Sequence, residues 1–370
     1  MKYIITGKGY ISELTKQIEE DVISITEEEL KQSAITINKN DKVYAPTESS
    51  LDIIIKKSED ENFVHAVEKL KDKYQFRKLM SEIYPDFFYE KCKLDELEKT
   101  ELEENKKYVI KPVKGFFSTA VKQINGGDNL KLIAEEIYTE LNENTKYFSE
   151  SILSKNELII EQFIEGDEYA VDMYFNDKKE PVIINIYHHP FPEQNEYFNV
   201  LYYTNHQIFD KLYDRINTIF IELNKHLKIA DFPIHAEFKL ENDKLIPIEM
   251  NPLRYGGFGL ADLTYHAFGF NPFNAFFQNF KPDWNKIWNK YKKNHFGWVL
   301  GYNGKDINTK THTPDDDAYL KYLKETLHYV EIDHRKNPVF SLAYIKDDCE
   351  ISLKRLLKTE FNDFFVPNDK

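Results

Sequence analysis

The stretch "HAEFKLENDKLIPIEMNPLRYGG", residues 235 to 257, decides how the chain is read. Two runs of alternating apolar and polar residues flank the turn signal "ENDK", which predicts a β-hairpin. In the first run Ile234, Ala236, Phe238 and Leu240 share one face, and His235, Glu237 and Lys239 share the other, because side chains alternate with period two. In the second run Ile246, Ile248 and Met250 fall on one face and Glu249 and Asn251 on the opposite one. Both apolar faces are buried together only if even positions pair with even. A three-residue loop, Asn242 to Lys244, would achieve this by pairing Glu241 with Leu245, and it would set Glu237 opposite Glu249.

Two carboxylates directly across a ladder repel each other, and a cation between them resolves the conflict. Hard oxygen donors at Glu237, Glu249 and the Asn251 amide suit Mg²⁺, which keeps waters and takes its remaining ligands from substrate phosphates. An exposed strand face carrying ordinary charges would show the same pattern, so these residues alone leave both readings open.

The chain has 370 residues, enough for two or three packed units, and its hydrophobic content of 41% supports folded cores. A formal net charge of -14 argues against a general nucleic-acid or anionic-membrane binder, which needs a basic footprint. Small molecules or a protein partner are expected. Cys92 and Cys349 are far apart in sequence and form no metal or disulfide framework. The N-terminus shows no cleavable apolar segment and no run approaches the length of a membrane span, so the expected compartment is the cytoplasm.

Three units are expected along the chain. Residues 1–70 alternate strand-like and helix-like stretches, beginning with "KYIITG", and read as a small α/β unit whose Gly7 and Gly9 make a tight turn. Residues 71–280 form the middle unit, with a sub-unit over about 105–160 built around "YVIKPVKGFFSTAVKQIN". Residues 281–370 read as a separate α/β appendage. The adjacent His188 and His189 point to opposite faces of a strand, poor geometry for one metal, and read as exposed or core residues; His235 shares the face of Glu237.

Four motifs, in order from about Lys71 to Asn279, resemble the ATP-grasp superfamily, whose members clamp Mg-ATP between two α+β subdomains and generally activate a carboxylate as an acyl phosphate. The resemblance implies a mixed α/β and α+β chain. Its N-terminal domain would precede a two-subdomain nucleotide clamp, with the lid at 105–160 and the appendage following. In "KDKYQFRKLM", Lys73 is the best match to a phosphate-reaching lysine and Lys71 the second, against a plain solvated helix lysine. In "YVIKPVKGFFSTAV", Lys111 matches the lysine of the family's strand, and Gly115 and Ser118 the flexible phosphate-covering loop, although many relatives carry glycine where this chain has Ala120.

In "LIIEQFIEGDEYAVD", the segment Glu161, Gln162, Phe163 and Ile164 matches the adenine hinge, and Glu168 the acid that accepts from the ribose hydroxyls. The hairpin carries the metal roles onto Glu237, Glu249 and Asn251, with Mg²⁺ expected and Mn²⁺ as an alternative. Relatives commonly place arginine directly after Asn-Pro; here Leu253 intervenes before Arg254. The resemblance implies an ADP-forming carboxylate–amine ligase acting on an amino acid or small peptide, with Arg254 and Lys111 as catalytic residues, and leaves room for a homodimer. A small-molecule kinase with the same clamp and a nucleotide-binding sensor without turnover are the other readings.

Overall fold

The computed structural model describes residues 1–18, 21–115, 119–144, 154–191 and 199–368. Its scaffold is an eight-stranded sheet in the order Lys244–Pro252, Phe232–Glu241, Asp167–Phe175, Pro181–His189, Leu201–Asn205, His295–Tyr302, Val339–Asp347 and Glu325–Glu331. Every neighbouring pair runs antiparallel. Period-two alternation sends Tyr169, Val171, Met173 and Phe175 to one face and Glu168, Ala170 and Asp172 to the other.

The first of these faces is covered by the helix His206–Leu227. It begins where the Asn205 side chain accepts from the Ile208 N–H, and ends at Lys228 in the left-handed region, φ 56°. Its buried Ile208, Leu212, Ile216, Phe220, Leu223 and Leu227 recur at helical spacing, and the Phe220 ring packs edge-on to Phe175 and Phe238. That leaves the opposite face of the sheet for the polar residues.

A second sheet, in the order Tyr89–Lys93, Glu157–Gln162, Lys107–Pro112 and Lys122–Asn125, is also antiparallel and carries the helix Leu130–Asn144 over its own small core. The N-terminal segment forms a parallel sheet in the order Ile23–Thr26, Lys2–Thr6 and Lys42–Tyr44. Among the described residues no helix is long and apolar enough to cross a membrane.

Two sequence expectations meet a different geometry. Most strand residues after 281 do not build a sheet apart: His295–Tyr302, Val339–Asp347 and Glu325–Glu331 continue the central one, and the short strands His312–Pro314 and Phe365–Pro367 pair with each other. The first two are buried along nearly their whole length, as interior strands must be, but continuous burial does not say in which sheet a strand lies. The hairpin turn is also tighter than expected. Asn242 and Asp243, at φ 47° and 61°, form a two-residue loop that pairs Glu241 with Lys244, a conformation that Asn and Asp tolerate. A bulge at Ile248 then inserts one residue, so Phe238 faces Pro247 while Glu237 still faces Glu249. The short turn and the bulge cancel, and the two acids meet on one rung as the longer loop would have placed them.

Lys42 ties the N-terminal sheet to the rest. Its Nζ lies 2.9 Å from Asp231 and donates to the Phe276 carbonyl at 3.0 Å and to Asn279 Oδ1 at 2.8 Å. Removing one partner of a largely buried pair leaves an uncompensated charge, so Lys42→Ala should cost about 2–4 kcal/mol in urea unfolding. An unchanged midpoint would show that the N-terminal unit is held by apolar packing alone.

Candidate functional site

Glu237 and Glu249 face each other across the hairpin, on a rung that continues through Ala170 and Tyr187. Among the described residues, a lysine or arginine forms an ion pair with Glu249 and none with Glu237. Lys73 Nζ lies 2.9 Å from Glu249 Oε2, and although burial opposes the charge, that ammonium holds Glu249 well below the usual carboxylate range. Asn251 Nδ2 donates to Glu249 Oε1 at 3.2 Å, leaving its amide oxygen for another partner. Burial, then Glu249 and Glu168, push Glu237 well above the usual range. Among the described residues no three His, Cys, Asp or Glu side chains form a metal group. The donor set here is instead two carboxylates and an amide, and its unmatched second acid fits a hard divalent ion that completes its shell with water and phosphate oxygens.

His235 stands behind this pair. Its Nδ1 lies 2.8 Å from Asp172 Oδ1 and its Nε2 3.7 Å from Glu237. Asp172, fully buried, also accepts the Gly256 N–H at 2.7 Å and the Tyr187 O–H at 2.9 Å. The side chains that orient Glu237 are thus themselves fixed.

The lysines come from the neighbouring elements. Lys73 opens the helix Lys73–Met80, capped by Asp72, and its Nζ also donates to the Gly115 carbonyl at 3.3 Å. Gly115 therefore offers the lysine its C=O; Ser118 lies outside the described residues. Lys71, the second choice, turns instead to Glu48. Lys111 is buried on Lys107–Pro112, 2.6 Å from Glu161 Oε2. The same carboxylate takes the Arg77 guanidinium, which further donates to the carbonyls of Pro247 and Ile248. Despite burial, Arg77 and Lys111 hold Glu161 down at about 2. Lys111 itself is lowered, because burial and the cations Arg77 and Lys73 outweigh its acid partner.

Arg77 was not singled out from the sequence. One guanidinium fastens the carboxylate that holds Lys111 to the bulge that sets the register of Glu249. The available signal was its i+4 spacing from Lys73, which puts both on one helical face.

In the segment after Glu161 the N–H of Gln162 is bonded to Phe88 at 3.1 Å and that of Phe163 to Lys107 at 2.9 Å, whereas the Ile164 amide has no backbone partner among the described residues. The Glu161 side chain points to the lysine. Glu168 pairs with His189, whose Nδ1 lies 2.9 Å away and whose ring stacks on Tyr202 at 4.1 Å. His189 is therefore neither a free surface residue nor a core one: cross-strand register places it beside Glu168 on the face of Glu237, while His188 is buried on the other face against Tyr169 and Tyr203.

Leu253, buried at φ 64°, turns the chain so that Arg254 reaches Glu48 of the N-terminal segment at 3.1 Å and the Tyr255 carbonyl at 3.1 Å. Arg254, Lys73 and Glu168 all act electrostatically on Glu237, so the candidate residues of three separate motifs converge. Ala120 sits at φ 55°, where an L-residue costs about 1–2 kcal/mol relative to glycine's freedom.

Residues 104–262 match the family model of the ATP-grasp domain. The chain carries an ATP-grasp domain. The match spans Lys111, the hinge, Glu168, both hairpin acids, Asn251 and Arg254, with Lys73 just ahead of it. No curated protein matches the chain. Among solved structures, the L-amino acid ligase of Bacillus licheniformis has a TM-score of 0.66 at 13% identity, covering 100% of this chain and 98% of that one. The N5-carboxyaminoimidazole ribonucleotide synthetase of Thermotoga maritima has a TM-score of 0.64 at 14% identity, covering 100% and 99%. The biotin carboxylase of Campylobacter jejuni, at 0.60 and 10%, covers 99% and 92%. At these identities the likeness is one of fold, and the ATP-grasp architecture expected from the motifs is the one found.

Two consequences of the Arg77 network can be measured. Arg77→Met should cost about 3–5 kcal/mol, and Arg77→Met combined with Glu161→Gln should recover part of that loss in urea unfolding. Because the folded pKa of Glu161 lies below its unfolded value, its stabilisation is present above about pH 4.5 and is lost as pH falls toward 2. Wild type should therefore lose stability more steeply than Glu161→Gln below pH 4.5; parallel slopes would place the acid sensitivity elsewhere.

Proposed function

We propose that the protein is an ATP-dependent ligase that activates a carboxylate as an acyl phosphate and passes it to an amine, releasing ADP and phosphate. The observation that carries this reading is the half-buried rung of Glu237 and Glu249, of which Glu249 is paired with Lys73, with Lys111 on the neighbouring sheet. That arrangement is suited to polyphosphate brought in with a divalent ion, and apart from Lys73 it lies within the residues that match the ATP-grasp domain. The fold neighbours named as amino acid ligase, ribonucleotide synthetase and carboxylase are consistent with it.

In this reading Glu237, Glu249 and Asn251 hold Mg²⁺, which supplies neutralisation of the phosphate charge. Lys111 and Lys73 bind and orient the phosphates, exchanging their present carboxylate partners for phosphate oxygens. The Ile164 amide meets the adenine edge, and Glu168, held by His189, accepts from the ribose hydroxyls. A substrate carboxylate oxygen forms a bond to the γ-phosphorus as the bond to the β-phosphate oxygen breaks. Arg254 offsets charge at that centre, fixed in place by Glu48. The amine nitrogen then bonds to the acyl carbon, phosphate leaves with the electrons of the C–O bond, and the amine loses a proton.

Hydroxamate formation tests this directly. Purified protein with Mg-ATP and hydroxylamine, screened against pooled amino acids, short peptides and other carboxylates, should yield a hydroxamate that Glu249→Gln lowers by at least about 100-fold and Lys111→Ala abolishes together with ATP binding. A stable phosphorylated product would make the protein a kinase, and ATP binding without turnover a sensor.

A further inference from the structure

Away from the acids, the site face of the central sheet turns aromatic. Tyr202 is the cross-strand partner of Trp298, and Trp298 of Tyr344. The loop leaving the hairpin is pinned over this row: Trp298 Nε1 donates to the Phe258 carbonyl at 3.2 Å, and the Tyr344 hydroxyl to the Gly259 carbonyl at 2.8 Å. Gly259, at φ 77°, has no space for a side chain, since a Cβ would lie 2.6 Å from the Tyr344 hydroxyl and 3.3 Å from the Tyr10 ring. Phe258 is held at φ 50°, a costly conformation for a bulky residue, with its ring 36% exposed and 5.2 Å from that of Tyr10.

Beneath this aromatic pair lies Asp262, only 5% exposed. Its Oδ2 accepts the Ser12 hydroxyl at 2.7 Å and approaches that of Tyr344 at 3.5 Å, while its Oδ1 has no hydrogen-bond partner among the described residues. Among the described residues, no lysine, arginine or histidine forms an ion pair with it. The neighbouring carboxylate, Asp172, adds negative potential and is already served by His235, Tyr187 and Gly256. Burial pushes Asp262 up to about 7, so in mildly alkaline solution it becomes a buried anion supported only by neutral hydroxyls. Buried polar atoms normally have partners, and buried charges normally have counterions. A carboxylate with one oxygen unpartnered and no counterion, beside aromatic rings, is the chemistry that recognises an organic cation.

We propose that Asp262, with Tyr10 and Phe258 as walls, forms a subsite for a primary ammonium group carried on an apolar body. That this ammonium belongs to the amine being coupled rests on the ligase reading; the cation site itself does not. Its position suits the role, because the loop bearing Phe258 and Asp262 leaves the metal hairpin directly after Arg254, and Gly256 of that loop is bonded to the Asp172 that orients His235. The amine would thus enter beside the acyl phosphate, from the side of the sheet opposite the hinge. Of the two groups a carboxylate–amine ligase must recognise, this subsite repels the carboxylate and attracts the ammonium.

Calorimetry at pH 8 with the full chain, with and without Mg²⁺ and a non-hydrolysable ATP analogue, tests the proposal using 2-phenylethylamine, its acidic counterpart 3-phenylpropionate, and ethylamine. The phenylethylammonium ion should bind at least about tenfold more tightly than either. Asp262→Asn should weaken it by at least about tenfold, and Phe258→Ala by about threefold. Phe258→Ala, whose ring is on the surface, serves as the arbiter should Asp262→Asn fold poorly. Equal affinity for the acid and the amine, no binding of the amine, or an affinity untouched by either variant would each overturn the site. Loss of hydroxamate chemistry with amine binding intact would instead remove the ligase reading and leave the cation site standing.

Discussion

Two carboxylates on one rung of a buried hairpin cannot both stay charged without a cation between them, and much of this structure is arranged around that constraint. Lys73 holds the charge of Glu249, and the amide of Asn251 steadies the same group. Among the described residues Glu237 has no lysine or arginine of its own; its support is a histidine braced by a buried aspartate. A rung completed by protein charges alone would need no ligand. This one is half completed, and what the unmatched acid lacks is the positive charge of a cation, the role the proposed function gives to a hard divalent ion.

The rung can exist only because the backbone beneath it departs from regular pairing. A two-residue turn alone would have put the acids out of register, and the bulge at Ile248 restores them. A bulge presents carbonyls that the ladder cannot satisfy, and here Arg77 takes them while also binding Glu161 of the second sheet. The lysine expected at the phosphates, the acid opposite it and the register of the hairpin that carries Glu237 and Glu249 are therefore mechanically coupled through a single side chain. At the other end of the hairpin, strands from the C-terminal region pin the loop that follows Arg254 through an indole N–H and a phenol O–H. The last third of the chain thus acts on the site by extending its floor.

The acids were legible because their signal is local. Alternation in two short strands names the face of each residue, and like charges meeting across a ladder call for a cation whichever fold surrounds them. Motif order carried the ATP-grasp architecture, and the family match, residues 104–262, covers the last three of the four motifs. His189 was misread because adjacent residues on a strand do point apart, yet which of the two faces the site depends on the register with Asp167–Phe175. Arg77 was missed because its value comes from a carboxylate 84 residues away and from carbonyls freed by a bulge.

By itself the sequence determined the two acids on one face, the lysine strand, the hinge and the order in which they occur, since each is set by spacing within a few residues. Only the tertiary structure decided which charges are matched: that Lys73 serves Glu249 while Lys71 serves Glu48, that Arg254 is anchored by the N-terminal segment, and that Asp262 is buried without a counterion. The reason is physical. Alternation is a property of one strand, whereas the free energy of a charge depends on burial and on every group packed around it, and those groups come from parts of the chain that periodicity cannot bring together.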